Sequence, residues 1–77
     1  MYTVRAYMGD DLMLDDSFEI DGLSSFTFEC DMFCADYCID KGITSVHAHF
    51  EALDEDGALV DVYELHYSKG DAYGKSH

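Results

Sequence analysis

The sequence predicts an α+β fold of ββαββ order, in which a four-stranded antiparallel sheet carries one helix on one face. Segments that alternate apolar and polar residues lie near both ends of the chain, and a stretch with helical apolar spacing lies between them. With 77 residues, 48% of them hydrophobic, the chain suits one small domain and is too apolar for a disordered acidic tail. We expect the second face of the sheet to be open to water.

The first two strands are predicted on either side of an acidic turn. Residues 1–8 alternate and are rich in Tyr, Val and Thr, and Gly9-Asp10-Asp11 has the composition of a turn. A second strand is predicted within residues 12–20. The polar run Asp15-Asp16-Ser17 in its middle predicts a bulge or a break.

A helix is predicted from an N-cap at Ser24 or Ser25 to Lys41, with Gly42 as the stop. For residues 24–30 a strand is the competing interpretation. One apolar stripe at helical spacing comprises Phe26, Cys30, Phe33, Cys34, Tyr37 and Cys38. A second stripe makes the apolar surface wider than one small sheet usually covers, and it comprises Phe28, Met32, Ala35 and Ile39.

The last two strands are predicted as a hairpin within residues 43–67. Asp56-Gly57 is typical of a two-residue type I′ turn, which makes the numbers of paired residues sum to 113. A four-residue loop keeps the same faces, whereas a three-residue loop would move Asp61 and Val62 to opposite faces and is therefore disfavoured. Residues 68–77 show no periodicity and are predicted to be a flexible tail, which leaves residues 1–67 as the domain.

The three cysteines are predicted to be reduced core residues. Their number is odd, and the spacing of Cys30, Cys34 and Cys38 places them on one helix face, where side chains are poorly directed for disulfides. The sequence shows neither an apolar run long enough to span a membrane nor a signal-peptide pattern. We therefore expect a cytoplasmic protein without membrane contact.

Three histidines form the one candidate metal site. In the predicted hairpin His47 and His49 share a face, and His66 lies directly across from His47. With Glu51 or Glu64 added, this cluster has the donor types that bind zinc or nickel; the alternative is a solvated sheet face. The same face carries exposed valines, so a homodimer formed through it is a further hypothesis.

The acidic balance of the chain predicts a partner of opposite charge. Seventeen Asp and Glu residues against four Lys and Arg give a formal net charge of −13, which folding alone does not require. The sign disfavours nucleic acid as a ligand, because nucleic-acid affinity depends on basic side chains. It favours instead a basic protein groove that normally contacts nucleic acid, and the alternative is ordinary solvating charge.

The carboxylates have a spacing that suits such a groove. Carboxylates two residues apart on a strand lie about 6.5–7 Å apart, close to the phosphate repeat of one DNA strand. Glu19 and Asp21 have this spacing, as do Glu29 and Asp31 if that stretch is extended. The candidate partner-binding residues are Asp10, Asp11, Asp15, Asp16, Glu29, Asp36, Asp40, Asp54, Glu55 and Asp56.

No motif in the sequence predicts catalysis. Residues 54–57 lack the EF-hand spacing, and neither a nucleophile elbow nor a glycine-rich phosphate loop is present. We therefore predict a protein that is not an enzyme.

In size, acidity, absence of proline and ββαββ layout, the chain resembles the small phage-encoded inhibitors of bacterial defence. These include anti-CRISPR proteins and DNA-mimic anti-restriction proteins. The resemblance covers the whole chain and includes no shared motif. It implies non-catalytic inhibition by binding to a basic, nucleic-acid-contacting surface of a defence complex, for which Tyr7, Tyr37 and Tyr73 are the expected aromatic anchors.

Overall fold

A four-stranded antiparallel sheet with one helix against it forms the fold in a computed structural model, which describes residues 1–68. The predicted class and element order are therefore confirmed. The strands follow the spatial order β2-β1-β3-β4, so β2 and β4 form the two edges. The elements are β1 (Tyr2–Met8), β2 (Met13–Ile20), α1 (Phe26–Lys41), β3 (Ser45–Leu53) and β4 (Leu59–Ser68).

The predicted domain boundary falls one residue short, because Ser68 is the last residue of β4. The remainder of the predicted tail, residues 69–77, lies outside the described residues. No helix within residues 1–68 has the length and apolarity that crossing a membrane requires.

The β1–β2 hairpin contains the predicted bulge. Ala6 pairs with Asp16 and Tyr7 pairs with Leu14, so Asp15 is an extra residue on β2. The turn closes where the amide of Leu12 donates to the carbonyl of Gly9 at 3.0 Å.

The helix begins and ends as predicted, and the strand interpretation of residues 24–30 is wrong. Ser25 occupies the N-cap position, but its hydroxyl donates to the carbonyl of Gly22 at 3.2 Å and makes no capping bond to the helix. A short 3₁₀ turn, Leu23–Ser25, leads into α1 instead. At the other end Gly42 has φ = 71°, a left-handed conformation in which its amide bonds the last turn.

The β3–β4 hairpin has the predicted register but not the predicted loop. Pairs from Ser45↔Ser68 to Ala52↔Asp61 follow the predicted sum. Asp54 and Ala58 close a three-residue loop by a 2.9 Å backbone hydrogen bond, and Gly57 lies at φ = 86°. The expected two-residue turn is therefore wrong. The register survives because Val60 is an extra residue on β4, which offsets the additional residue of the loop.

The core lies between α1 and one face of the sheet. The helix contributes Phe26, Cys30, Cys34 and Cys38, all essentially inaccessible to solvent, and the three cysteines form no disulfide. Small side chains here let the helix lie close to the sheet. Beside them Phe33 stacks on Phe18 with ring centroids 5.5 Å apart and meets Phe50 edge to face at 5.9 Å. The face of the sheet turned away from α1 is called the outer face below.

Candidate functional site: an acidic groove between helix and edge strand

The predicted partner-binding carboxylates lie in separate regions of the surface. Asp16, Glu29 and Asp36 line one groove. Asp54, Glu55 and Asp56 line a second depression at the β3–β4 turn, beside the N-terminus. Asp10 lines a third with His47 and His66. The remaining three, Asp11, Asp15 and Asp40, are exposed and line none of these depressions.

The first of these depressions, called the acidic groove here, lies between β2 and α1. Four carboxylates border it: Asp16 and Glu19 from β2, Glu29 and Asp36 from α1. Its volume is about 380 Å³, and its apolar lining consists of Phe18, Met32 and Phe33. Sequence reasoning placed Glu19 in a carboxylate pair but did not include it among the candidate residues.

Local geometry explains why these side chains meet. Glu29 and Asp36 are two helical turns apart, which separates them by about 10 Å along the axis. Asp16 pairs with the buried Ala6, so it lies on the side of β2 that faces the helix. Glu19, three residues further along β2, pairs with Thr3 and therefore lies on the outer face of this edge strand. The groove therefore presents one row of negative charge on α1, with Asp16 facing it from β2 and Glu19 at the outer side of the edge strand.

Within residues 1–68 no basic side chain pairs with the carboxylates of the acidic groove. The ion pairs within residues 1–68 involve the N-terminus with Glu55 and the histidines with Glu51 and Glu64, and none of them reaches the four groove carboxylates. Like charges brought together without counter-charges repel one another and favour a cationic ligand.

An apolar stripe on α1 lies beside the groove. Phe28 and Ile39 are 63% and 65% exposed, and Met32, also largely exposed, belongs to the groove lining as well. These three residues are called the exposed stripe below. They belong to the second stripe seen in the sequence, whose excess width was the signal that they remain uncovered. Sequence reasoning did not identify them as anchors.

Two of the three predicted aromatic anchors are less accessible to a partner than the exposed stripe. Tyr7 is half-buried on the outer face and donates its hydroxyl to Glu51 Oε1 at 3.2 Å. Tyr37 is half-buried, with the Lys41 ammonium 5.5 Å from its ring centroid. Tyr73 lies outside the described residues.

The carboxylate spacing expected for an extended Glu29–Asp31 segment does not form. Both residues lie in α1, and Asp31 faces β4, where the hydroxyl of Tyr63 donates to its Oδ1 at 3.2 Å. Burial raises the pKa of Tyr63, and the nearby Asp31 charge raises it further. Asp21 lies beyond the end of β2, so the pair with Glu19 is not a strand pair either.

The predicted histidine cluster does gather on the outer face. His47 pairs with His66, and their rings stack with centroids 4.2 Å apart and planes 7° apart. Nε2 of His47 lies 2.8 Å from Oε2 of Glu64, and Nε2 of His49 lies 3.4 Å from Oε2 of Glu51. The hydrogen bond with His47 lowers the pKa of Glu64.

This arrangement does not form a metal centre. Imidazole lone pairs lie in the ring plane, so two parallel stacked rings direct their nitrogens along parallel lines and do not converge on one ion. No group of three or more His, Cys, Asp or Glu side chains within residues 1–68 has a geometry that could hold a metal. The zinc or nickel hypothesis therefore gains no support from the geometry.

The thiols of Cys30 and Cys34 on α1 are unreactive at neutral pH. Burial raises the pKa of Cys30 and of Cys34 to about 12, and the neighbouring thiols and acidic residues contribute to the increase. Both thiols are protonated at neutral pH, and the thiolate is the nucleophilic form. Their role in this structure is packing.

Comparison with known proteins identifies no relative of this chain. No protein-family model, no curated protein and no solved structure matches it. The acidic groove and the exposed stripe are therefore interpreted from their own residues.

Proposed function

We propose that this protein is a non-catalytic acidic binding protein that docks on a basic surface of a partner protein and inhibits it. The partner surface is one that otherwise contacts nucleic acid, as in the anti-CRISPR and DNA-mimic proteins that the chain resembles. The observation that carries the proposal is the acidic groove, whose four carboxylates have no basic partner among the described residues 1–68, next to the exposed stripe. A cytoplasmic encounter with the partner is part of the proposal.

The combination of charge and apolar area favours a protein partner. Protein interfaces join an apolar centre to a polar rim, and a few large anchors carry most of the binding energy. Phe28, Met32 and Ile39 provide such a centre, and Glu29 and Asp36 provide the rim. Nucleic acid would be repelled by the rim.

Competition with nucleic acid follows from the same geometry. A groove that binds a phosphate backbone presents Lys and Arg side chains in a row, and Glu29 and Asp36 offer carboxylates to such a row along α1. Guanidinium groups bind carboxylates in a two-pronged geometry much as they bind phosphates. Long-range attraction also speeds the encounter and weakens as salt is added.

Two variants that each lose four negative charges test the proposal. The groove variant combines D16N, E19Q, E29Q and D36N. The control variant combines D10N, D11N, E55Q and D56N, all exposed and outside the groove. Each protein is immobilised and exposed to a bacterial lysate, bound proteins are eluted with a salt gradient, and duplex DNA is added as competitor.

We expect the wild-type and control proteins to retain the same captured protein, and the groove variant to lose it. Capture should fall steeply with salt and with duplex DNA. Equal capture by the two variants, or capture unaffected by salt, would contradict the proposal. A third variant, F28S with I39S, should also lose capture although its charge is unchanged, which separates specific docking from general charge attraction.

A further inference from the structure

The edge of the sheet formed by β4 differs from the edge formed by β2. The β2 edge is interrupted in mid-strand by the Asp15 bulge and carries several carboxylates, devices that prevent strand pairing between molecules. In β4 the extra residue, Val60, lies near the turn, and the ladder from Asp61 to Ser68 is regular. The strand contains neither proline nor lysine, and no strand within residues 1–68 pairs with its outer side.

The charges on β4 are arranged to complement themselves. Along the outer face, the exposed Glu64 and His66 are two residues apart, and Leu65 lies between them on the helix side. In an antiparallel pair of identical strands centred on Leu65, each Glu64 lies opposite the His66 of the other copy. A carboxylate accepts a hydrogen bond from an imidazole N–H in either protonation state, so the pairing does not depend on histidine charge.

Neighbouring registers are less favourable. A pair centred on Glu64 places two carboxylates directly opposite each other, which is destabilising. A pair centred on His66 places the two imidazoles opposite each other and leaves Glu64 opposite Ser68. The register centred on Leu65 is the one that pairs unlike groups on the outer face and places two leucines together on the helix side.

We infer that two copies of this chain associate through β4, antiparallel and centred on Leu65, to form one continuous eight-stranded sheet. Such an interface is isologous, as in most two-fold dimers. Main-chain hydrogen bonds supply the association, and the Glu64–His66 pairs set the register. The inference is independent of the proposed function, because the acidic groove lies at the opposite edge of the sheet.

Sedimentation velocity over a range of concentrations tests the dimer. The wild-type chain should reach twice its 8.7 kDa mass as concentration rises. H66E places like charges opposite each other twice and should weaken the dimer at least about tenfold. The double variant H66E with E64H exchanges the two groups and should restore it. S17E, which adds one negative charge on the exposed β2 edge, is the matched control and should leave the dimer unchanged.

The restoration by the double variant is the decisive result. A wild-type chain that stays monomeric at every concentration, an H66E dimer as tight as the wild type, or a double variant that stays dissociated would each overturn the inference. Circular dichroism confirms that each variant is folded, since His66 also stacks on His47. Amide exchange provides a second measurement, because protection within Asp61–Ser68 should increase with protein concentration. The groove variant should still dimerise, so a failure of the proposed function and a failure of the proposed dimer can be told apart.

Discussion

The three cysteines of α1 contribute small apolar volume to the helix–sheet contact and no reactivity. Cys30 and Cys34 are wholly buried, and their thiols keep their protons far above the pH at which an exposed thiol ionises. Sequence spacing alone predicted their reduced, buried state. It did not reveal how strongly burial disfavours the thiolate, because this depends on the aromatic and aliphatic groups that surround the thiols in the folded chain.

The raised thiol pKa values predict a loss of stability in alkali. In the unfolded chain these thiols ionise near pH 9, whereas in the folded chain they ionise near pH 12. Their contribution is therefore complete below about pH 9 and is lost as the pH rises toward about 12. Each thiol should lower the free energy of unfolding by up to about 1.4 kcal/mol per pH unit in that range.

Urea unfolding midpoints at about pH 8 and about pH 10 measure this loss, and a variant without the two thiols accounts for the tyrosines, which also ionise near pH 10. The double variant C30A with C34A is less stable at every pH but should show a smaller difference between the two midpoints. Equal urea midpoints of the wild type at the two pH values would show that burial does not keep the thiols protonated.

At the scale of the elements, two phenylalanines on α1 have opposite environments. Phe33 packs between Phe18 and Phe50, whereas Phe28 faces solvent. F33A should lower the free energy of unfolding by about 3 kcal/mol, and F28A should change it by less than about 0.5 kcal/mol. Thermal or urea unfolding of the two variants provides the comparison. A large loss in F28A would mean that the stripe is covered by the protein itself.

The sequence predicted the faces of the helix and strands better than the details of their connections. Helical spacing identified Cys30, Cys34 and Cys38 as one face, and the predicted register of β3 and β4 was right although the turn from which it was derived was wrong. The sequence did not predict two irregularities that compensate each other, the three-residue loop and the Val60 bulge. Asp54 stabilises that loop, since its Oδ1 accepts the amides of Asp56 and Ala58 at 2.9 Å each. No residue type in the sequence distinguishes this loop from the shorter one.

At the scale of the molecule, the carboxylates lie in several separate regions, and four of them border the acidic groove. Composition alone shows the sign and size of the excess charge, but the acidic groove forms only where β2 and α1 meet in three dimensions. Its carboxylates on β2 and on α1 are 10 to 20 positions apart in the chain, so no local pattern could identify them as one group. The histidines show the same limit, since pairing predicted their proximity but not the stacking of their rings.

Self-repulsion at a net charge of −13 predicts that salt stabilises the fold. Sodium chloride screens this repulsion, so the melting temperature should rise as salt is added, by about 5 °C for each kcal/mol gained in a domain of this size. The groove variant should melt higher than the wild type at low salt and depend less on salt. A melting temperature that falls with added sodium chloride would contradict this account.

The two bulges also determine where this chain can be shortened. Asp15 and Val60 each lack a cross-strand partner, so excising either one joins neighbours that already alternate correctly, and no side chain beyond it changes face. Excising Val62 instead would move Asp61 to the outer face, opposite Glu51, where two carboxylates repel each other. A gene lacking the Val60 codon should therefore yield a protein that melts close to the parent. If it melts as low as the Val62 deletion, the bulge at Val60 is itself needed for stability.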